Sequence, residues 1–372
     1  MAQDESRSLS GSGVAIRPRS ADSPGAGRAT SAGRGALVIS LDLELMWGMR
    51  DHATTSDYGH RVLGEREAIP AMLELFEKSG IHATWATVGF LMCDGRDELL
   101  TRAPEDRPTY ADPRLSNYSY LDEVGVSERV DPYYFAPSMV RRILQCPDQE
   151  IATHSYSHYY CLEPGQTDDQ FRADLRAATA QLREWNIDCR SIVFPRNQYD
   201  RRHLELCAAE GLSAFRGTET NWMYLPGNGA AQSLARRAAR LADTYLPLSG
   251  SNAVEPCSGD PLMNVRSSRF LRPYKPGLKS LEEMRLSRIC RAMRQAAISG
   301  SVFHLWWHPH NFGADITENM AFLRRILESY RQLADEYGMT SATIAETADA
   351  WAAQRAFPPV ARASPTLAEA QG

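Results

Sequence analysis

Glu150 to Tyr160 reads E-I-A-T-H-S-Y-S-H-Y-Y, with an apolar approach (Ile151, Ala152) running into two histidines four residues apart. On one extended strand His154 and His158 would share a face but lie about 13 Å apart. That is too far for a single metal ion, whose ligand nitrogens sit roughly 2 Å from it. On a helical turn the same spacing brings the side chains within about 6 Å. Metal chemistry therefore predicts a strand that ends near Thr153 and a helical turn that begins there. Without metal, the pair is an incidental feature of a helix start.

Working outward, Ala36 to Leu41 (A-L-V-I-S-L) is a short continuous apolar run, the mark of a strand buried on both faces. It leads into Asp42-Leu43-Glu44, two carboxylates at strand spacing that point the same way. Buried unpaired charge is expensive, so acids at the end of such a strand suggest metal or catalysis, against the plainer alternative of surface acids.

Apolar residues at 69, 72, 73, 75 and 76 make a helical stripe within Glu65 to Ser79, stopped by Gly80. Ile81 to Phe90 follows as a second strand, so strand, helix and strand form a right-handed parallel unit. Cys93 to Pro137 lacks periodicity and reads as an insertion that is either a functional lid or a stretch holding small elements, and residues 218–262 read as a second insertion carrying an Ala/Arg-rich helix at about 230–242. Helices are expected at Ser138–Gln145, from the Thr167 to Gln170 capping box to about Trp185, at Arg201–Glu210, Leu281–Ile298, Thr317–Tyr337 and about 345–356. Strands are expected at Ser191–Phe194, near Ser213–Arg216 and at Ser301–Trp307, with a short segment at 340–344. Alternating strands and helices without repeats indicate an α/β fold with a parallel sheet. Asp42/Glu44, Arg196 and His308 gather at strand ends, where a parallel barrel carries its working residues.

At 372 residues the chain can hold one large domain, here residues 36–356. Met1 to Gly35 is Ser-, Gly-, Ala- and Arg-rich and reads as a disordered tail without a signal core; Phe357 to Gly372 reads as a flexible one. A net charge of −5, with basic residues scattered, argues against nucleic acid as a partner. No run of 18 apolar residues occurs, so no membrane span is expected. Seven cysteines, odd in number and without a C-x-x-C pair, favour a reducing compartment, and a cytoplasmic location is the default expectation.

With these stretches together, the chain resembles the polysaccharide deacetylase (NodB-homology, carbohydrate esterase 4) family. The pieces occur in family order: S-L-D-L-E-L at 40–45, H-A-T-W-A-T-V-G-F at 82–90, E-I-A-T-H-S-Y-S-H at 150–158, F-P-R-N-Q at 194–198 and L-W-W-H at 305–308. The resemblance spans about residues 36–355 and is thin across the two insertions. It implies a distorted parallel (β/α) barrel with loop insertions and metal-dependent removal of N- or O-acetyl groups from sugars. By position, Asp42 resembles the catalytic base, His154 and His158 metal ligands, His308 the general acid and Arg196 the arginine that orients the base. Leu43 stands where the family's second adjacent aspartate usually lies, and Glu44 would then supply the third ligand, as in members with Asp-x-Glu. The arginine motif also departs, with Pro195 before Arg196 and Asn197-Gln198 after it.

Three protein ligands leave a coordination position open for water, and imidazole with carboxylate suits a divalent metal, zinc first. Trp306 and Trp307 are strand neighbours, so one faces the interior; core packing is expected of the inward one, and sugar stacking is the alternative for either. His304 shares parity with Trp306 and His308, and His310 reads as a surface residue, with a place behind the ligands of the site as the alternative. The favoured function is a cytoplasmic deacetylase acting on an acetamido-sugar of surface-polysaccharide metabolism, nucleotide-linked or lipid-linked. The alternatives are a hydrolase of another C–N bond, a formamide or ureide, and a non-catalytic carbohydrate-binding barrel.

Overall fold

The computed structural model describes residues 34–229 and 233–356, the side chains of the last two apart. The tails expected at 1–35 and 357–372 lie outside the described residues, except Arg34 and Gly35.

Strand β1 (Ala36–Leu43) is the spine of the molecule, and all eight of its residues are buried. Its alternation is the organising feature. Leu37, Ile39, Leu41 and Leu43 pack outward into the large core beneath the helices, with Met72, Phe76, Ile289 and Leu323. Ala36 and Val38 point inward to a smaller cluster with Ala86, Ala152, Val193, Ala214 and Val302. The inward face then turns polar along the strand, through Ser40 to Asp42, both buried. One strand thus places an apolar floor and an acidic upper rim on the same face.

The remaining strands are β2 (Ala83–Thr87), β3 (Gln149–Thr153), β4 (Ser191–Ile192), β5 (Ala214–Phe215), β6 (Met263–Asn264), β7 (Arg269–Phe270), β8 (Val302–Trp307) and β9 (Thr340–Ala342). They run in the order β6-β5-β4-β3-β2-β1-β8-β7, all pairings parallel. β9 pairs with Ala36–Val38, on the length of β1 that precedes its pairing with β2 at Ile39. The sheet curves into a half-barrel clad in helices. β6 and β7 belong to one short stretch that bonds first to β5 (Val265 N to Phe215 O, 2.9 Å) and then to β8 (Ser268 N to His304 O, 2.8 Å; Leu271 N to Trp306 O, 2.7 Å). This stretch links the two ends of the strand order. It escaped the sequence reading because four irregular residues split it into two-residue strands. The last helix, Ile344–Ala356, sends Ile344 and Ala348 into the inner apolar cluster and plugs the floor.

Several boundaries moved. The helix expected from Glu65 begins at Thr55, where the Thr54 side chain accepts the Asp57 N–H, and it continues through Pro70. The second strand stops at Thr87, and Gly89–Met92 is already helical. The first insertion contains a helix at Arg96–Arg102 and 3₁₀ turns at Pro113–Leu115 and Asn117–Glu123. The Ala/Arg-rich helix spans Leu234–Tyr245.

Candidate metal centre

β3 ends at Thr153 as the histidine motif requires, but no helical turn follows. His154 and His158 are brought together by a loop with Ser155 and His158 in the left-handed region (φ 61° and 60°). Their rings lie 5.1 Å apart. The loop's hydroxyls and a buried acid satisfy its backbone. Thr153 Oγ1 accepts the Ser155 N–H (3.1 Å), Ser155 Oγ accepts the Tyr159 N–H (2.6 Å), and Asp174 accepts the N–H groups of Tyr156 and Ser157 (2.7 and 3.0 Å). With no backbone ladder to meet them, these groups take side-chain acceptors instead. That is the physical content of the H-S-Y-S-H pattern.

Glu44 sits just past the end of β1, heading a 3₁₀ turn at Leu45–Gly48. Its Oε2 lies 3.0 Å from His158 Nε2 and 3.6 Å from His154 Nε2. One ligand atom from each of the three residues falls within 4.8 Å of the others, and all three side chains are buried. The His154 Nδ1–H donates to Val193 O at 2.7 Å in the tautomer that leaves Nε2 free to ligate. The donor set, two imidazoles and a carboxylate converging on one point, fits a divalent ion. Gly48 leaves room for the Glu44 carboxylate, since a Cβ there would stand 2.1 Å from Glu44 Cδ. Burial raises the Glu44 pKa, yet His308, His154 and His158 outweigh it and hold the carboxyl well below its usual range. Burial also lowers the His158 pKa, a loss that Glu44 partly offsets.

Asp42 faces the same cavity. Burial works against its charge, but the guanidinium of Arg216 prevails, with His154 and His308 adding to it, and the pKa is lowered. Arg216 reaches Asp42 through two bonds of 2.6 and 2.8 Å, also contacts Ser40 Oγ (3.1 Å) and Asn197 Oδ1 (3.2 Å), and stacks over Trp306 at 4.1 Å. This corrects the expectation for Arg196. The Arg196 guanidinium pairs instead with Asp51 and lies over Tyr160 at 4.1 Å. Arg196 leaves the sheet on a 3₁₀ turn with φ 54°, which carries its side chain to the mouth of the site. Arg216 directly follows β5, so its inward side chain runs along the half-barrel interior to Asp42. A basic residue at the end of a short strand was the available signal.

His308 Nε2 stands 3.8 Å from Asp42 Oδ2 and 3.7 Å from Glu44 Oε1. Asp42, Glu44, His158, Arg196, Trp306 and His308 line one cavity of about 330 Å³. Of the two tryptophans, Trp307 packs against Phe76 and Phe312 on the helix side, while the inward Trp306 is half-buried against the cavity. Core packing therefore falls to the outward ring, the reverse of the expectation. His304 is buried and bonded to Ser40 Oγ (2.8 Å), and burial, then Arg216, lowers its pKa to about 3. His310 is not a surface residue. It is 2% exposed, stacks on His308 (4.9 Å between centroids) and has Nδ1 4.0 Å from Glu65, whose buried carboxylate oxygens have no hydrogen-bond partner. The first insertion braces the site: the Asn117 amide donates to Trp47 O and Ser157 O, both at 3.0 Å, and Tyr110 OH accepts the Tyr160 N–H at 2.7 Å.

A polysaccharide deacetylase family profile matches residues 50–215, a span that contains His154, His158 and Arg196. The resemblance to this family holds. Asp42, Glu44 and His308 lie outside the matched span, and the geometry above is what joins them to it. Among solved structures, one described as a polysaccharide deacetylase from Mycobacterium smegmatis is similar, with TM-score 0.54 and 14% identity, covering 87% of this chain and 93% of that one. Puue allantoinase is similar at TM-score 0.53 and 13% identity, covering 87% and 92%. A 4-alpha-glucanotransferase from Thermococcus litoralis follows at TM-score 0.50 and 10% identity, covering 85% of this chain and 40% of its own. At such identities these neighbours speak to the fold alone. No curated protein sequence matches the chain.

Proposed function

We propose that the protein is a metal-dependent hydrolase that removes an acetyl group from an acetamido-sugar or related carbohydrate of surface-polysaccharide metabolism. The observation that carries this reading is the convergence of Glu44, His154 and His158 beside a separate, arginine-held carboxylate, Asp42. Glu44, His154 and His158 would hold the ion, zinc by the chemistry of the donors. When bound, such an ion acidifies water and polarises an acyl carbonyl. Asp42, kept ionised by Arg216, accepts the proton of the attacking water. His308, across the cavity, gives a proton to the departing amine. Arg216 acts on Asp42 and not on substrate, so it is a positioning residue. Trp306 offers a half-buried aromatic wall for the sugar ring. Seven free cysteines suit a reducing, cytoplasmic setting; among the described residues no helix is long and apolar enough to cross a membrane.

Acetate release from a panel of acetamido-sugars, before and after chelation and with one equivalent of zinc restored, tests this. Release that disappears with chelator and returns with zinc is expected. Full activity in metal-free protein refutes metal dependence. Hydrolysis of a formamide or ureide without acetate release transfers the site to another C–N bond, a reading for which the likeness to an allantoinase gives a reason to include allantoin in the panel. Carbohydrate binding with no hydrolysis of any member leaves the non-catalytic barrel.

A further inference from the structure

A second cavity, about 540 Å³, opens beside the candidate metal centre, and Arg196, Asn197, Phe270, Trp306 and His308 belong to both walls. Its far wall is built from the second insertion and the chain after β7. Arg237 and Arg240 come from the helix Leu234–Tyr245, Arg269 from β7, and Arg272 and Lys275 from just beyond it; Glu219 is the one acid in the lining. Six cationic side chains thus face one carboxyl group. Arg196 is set against Asp51, and Arg269 shares Asp243 with Arg288. Burial raises the pKa of Glu219, which accepts a hydrogen bond from Ser267. Positive charge is in excess around Arg272 and Lys275, next to Arg240. Burial lowers the pKa of both arginines, and for Arg240 the neighbouring Arg236 and Arg272 add to the effect. Cations are crowded here at a cost to the folded protein.

A second observation points to an acceptor. Arg269 is 5% exposed, and although its Nη1 bonds Asp243, its Nε and Nη2 have no hydrogen-bond partner. Unsatisfied donors on a buried guanidinium are expensive, and they recur where a ligand completes the set. The Nε–Nη2 edge of a planar guanidinium, with both its N–H groups free, matches phosphate oxygens in geometry and charge. The cavity's volume lies within the range of small-molecule sites. A neutral glycan would leave these charges uncompensated.

We propose that this cavity binds a phosphate or diphosphate group carried by the substrate, next to the sugar whose acyl group reaches the metal centre. The proposal rests on the deacetylase reading of that centre. A nucleotide-linked sugar and a lipid-linked sugar diphosphate share this chemistry. Exposed Leu225 and Leu241 at the lining, with Leu234, Leu246 and Leu248 on the same insertion, make the lipid source worth its own arm.

Calorimetric titration of the metal-loaded full chain with UDP-glucose, glucose 1-phosphate and glucose tests it, because none of these carries an acyl group to hydrolyse. The two phosphorylated probes should bind and glucose should not. Arg272→Gln and Lys275→Gln should each weaken UDP-glucose binding about tenfold or more, which also separates this site from phosphate attached to the metal. Lys275 and Arg237 are exposed, so Lys275→Gln and Arg237→Gln keep the test alive if Arg272→Gln fails to fold. A dodecyl-diphosphate-linked glucose in detergent that binds tenfold tighter than UDP-glucose assigns the lipid source; the reverse order assigns the nucleotide. Equal affinity for glucose and its phosphate, or unchanged UDP-glucose binding in all the variants, overturns the proposal. The two readings fail differently. Acetate released with equal kcat/KM from N-acetylglucosamine and its 1-phosphate sinks the phosphate subsite alone. Persistent probe binding without acetate release from any acetamido-sugar sinks the deacetylase alone.

Discussion

Replacing Arg216 by glutamine would leave the Asp42 carboxylate buried without its counter-charge, and the expected consequences can be worked out from the contacts. Asp42 is 3% exposed and receives two charge-assisted hydrogen bonds, of 2.6 and 2.8 Å, from this one guanidinium. Removing one member of a buried ion pair costs about 3–5 kcal/mol, most of it the penalty of the stranded charge. The lower end, about 3 kcal/mol, is expected here, because Ser40 and Asn197 remain beside the gap and His308 stands 3.8 Å away. A typical domain has enough stability to stay folded after such a loss. Arg216→Gln combined with Asp42→Asn should cost well under the sum of the singles, since the double variant buries no charge. The coupling, read from urea unfolding of the four proteins, should reach about 2 kcal/mol. In the single variant, burial is no longer outweighed by Arg216, so the Asp42 carboxyl takes up a proton at higher pH. The acid limb of kcat/KM should therefore move to higher pH, and the loss of activity should be greater at pH 6 than at pH 8. Arg196→Gln should leave the position of that limb unchanged. A cost under about 1 kcal/mol for Arg216→Gln, with an acid limb that Arg196→Gln moves and Arg216→Gln does not, would refute the assignment of Arg216 as the positioning residue.

Three further outcomes are expected. Gly48→Ala should keep the fold while weakening metal binding, because the added methyl displaces the Glu44 carboxylate, the movable partner in that contact; equal zinc affinity in competition with a chromophoric chelator would remove Glu44 from the ligand set. Asp42→Asn should retain metal and lose roughly 100-fold or more in kcat, and His308→Ala should follow it, whereas Glu44→Ala, His154→Ala and His158→Ala should lose metal and recover part of their activity in excess zinc. Metal analysis that groups Asp42 with the histidines would exchange the roles of the two acids. The hydrogen bond that His82 donates to Glu346, with Asp148 also near, raises the His82 pKa above its ordinary 6.5. The folded state therefore holds that proton more tightly, and the stabilisation is full below pH 6.5 and lost as pH rises through the folded value. The stability gap between the parent and His82→Gln should be larger at pH 6 than at pH 8. It should stay below about 1 kcal/mol, the side chain being 30% exposed; an equal gap at both pH values would contradict the shift.

Local pattern was enough for a good part of this molecule. The continuous apolar run at 36–41 marks a strand covered on both faces, and the Thr167–Gln170 capping box marks a helix start, because each is written in residues a few positions apart. The acids and histidines of the site announced themselves in the same way: carboxylates and imidazoles at the ends of apolar strands are costly unless they have work to do. What the chain order could not convey is which distant groups meet. Arg196 and Arg216 are both basic residues near the ends of short strands. Only the left-handed backbone at Arg196 and the inward face of Arg216 decide that the second, 174 positions from Asp42, holds it. His310 looked like a surface residue because nothing nearby in sequence shows that Glu65 and His308 enclose it. The histidine loop shows both sides. Four-residue spacing required the two rings to meet, but helix and loop satisfy that spacing equally, and Asp174 and two hydroxyls tipped the backbone to the loop. Secondary structure is a local competition that short patterns can win; the pairing of buried charges is settled by the curvature of the sheet, which no short stretch of sequence contains.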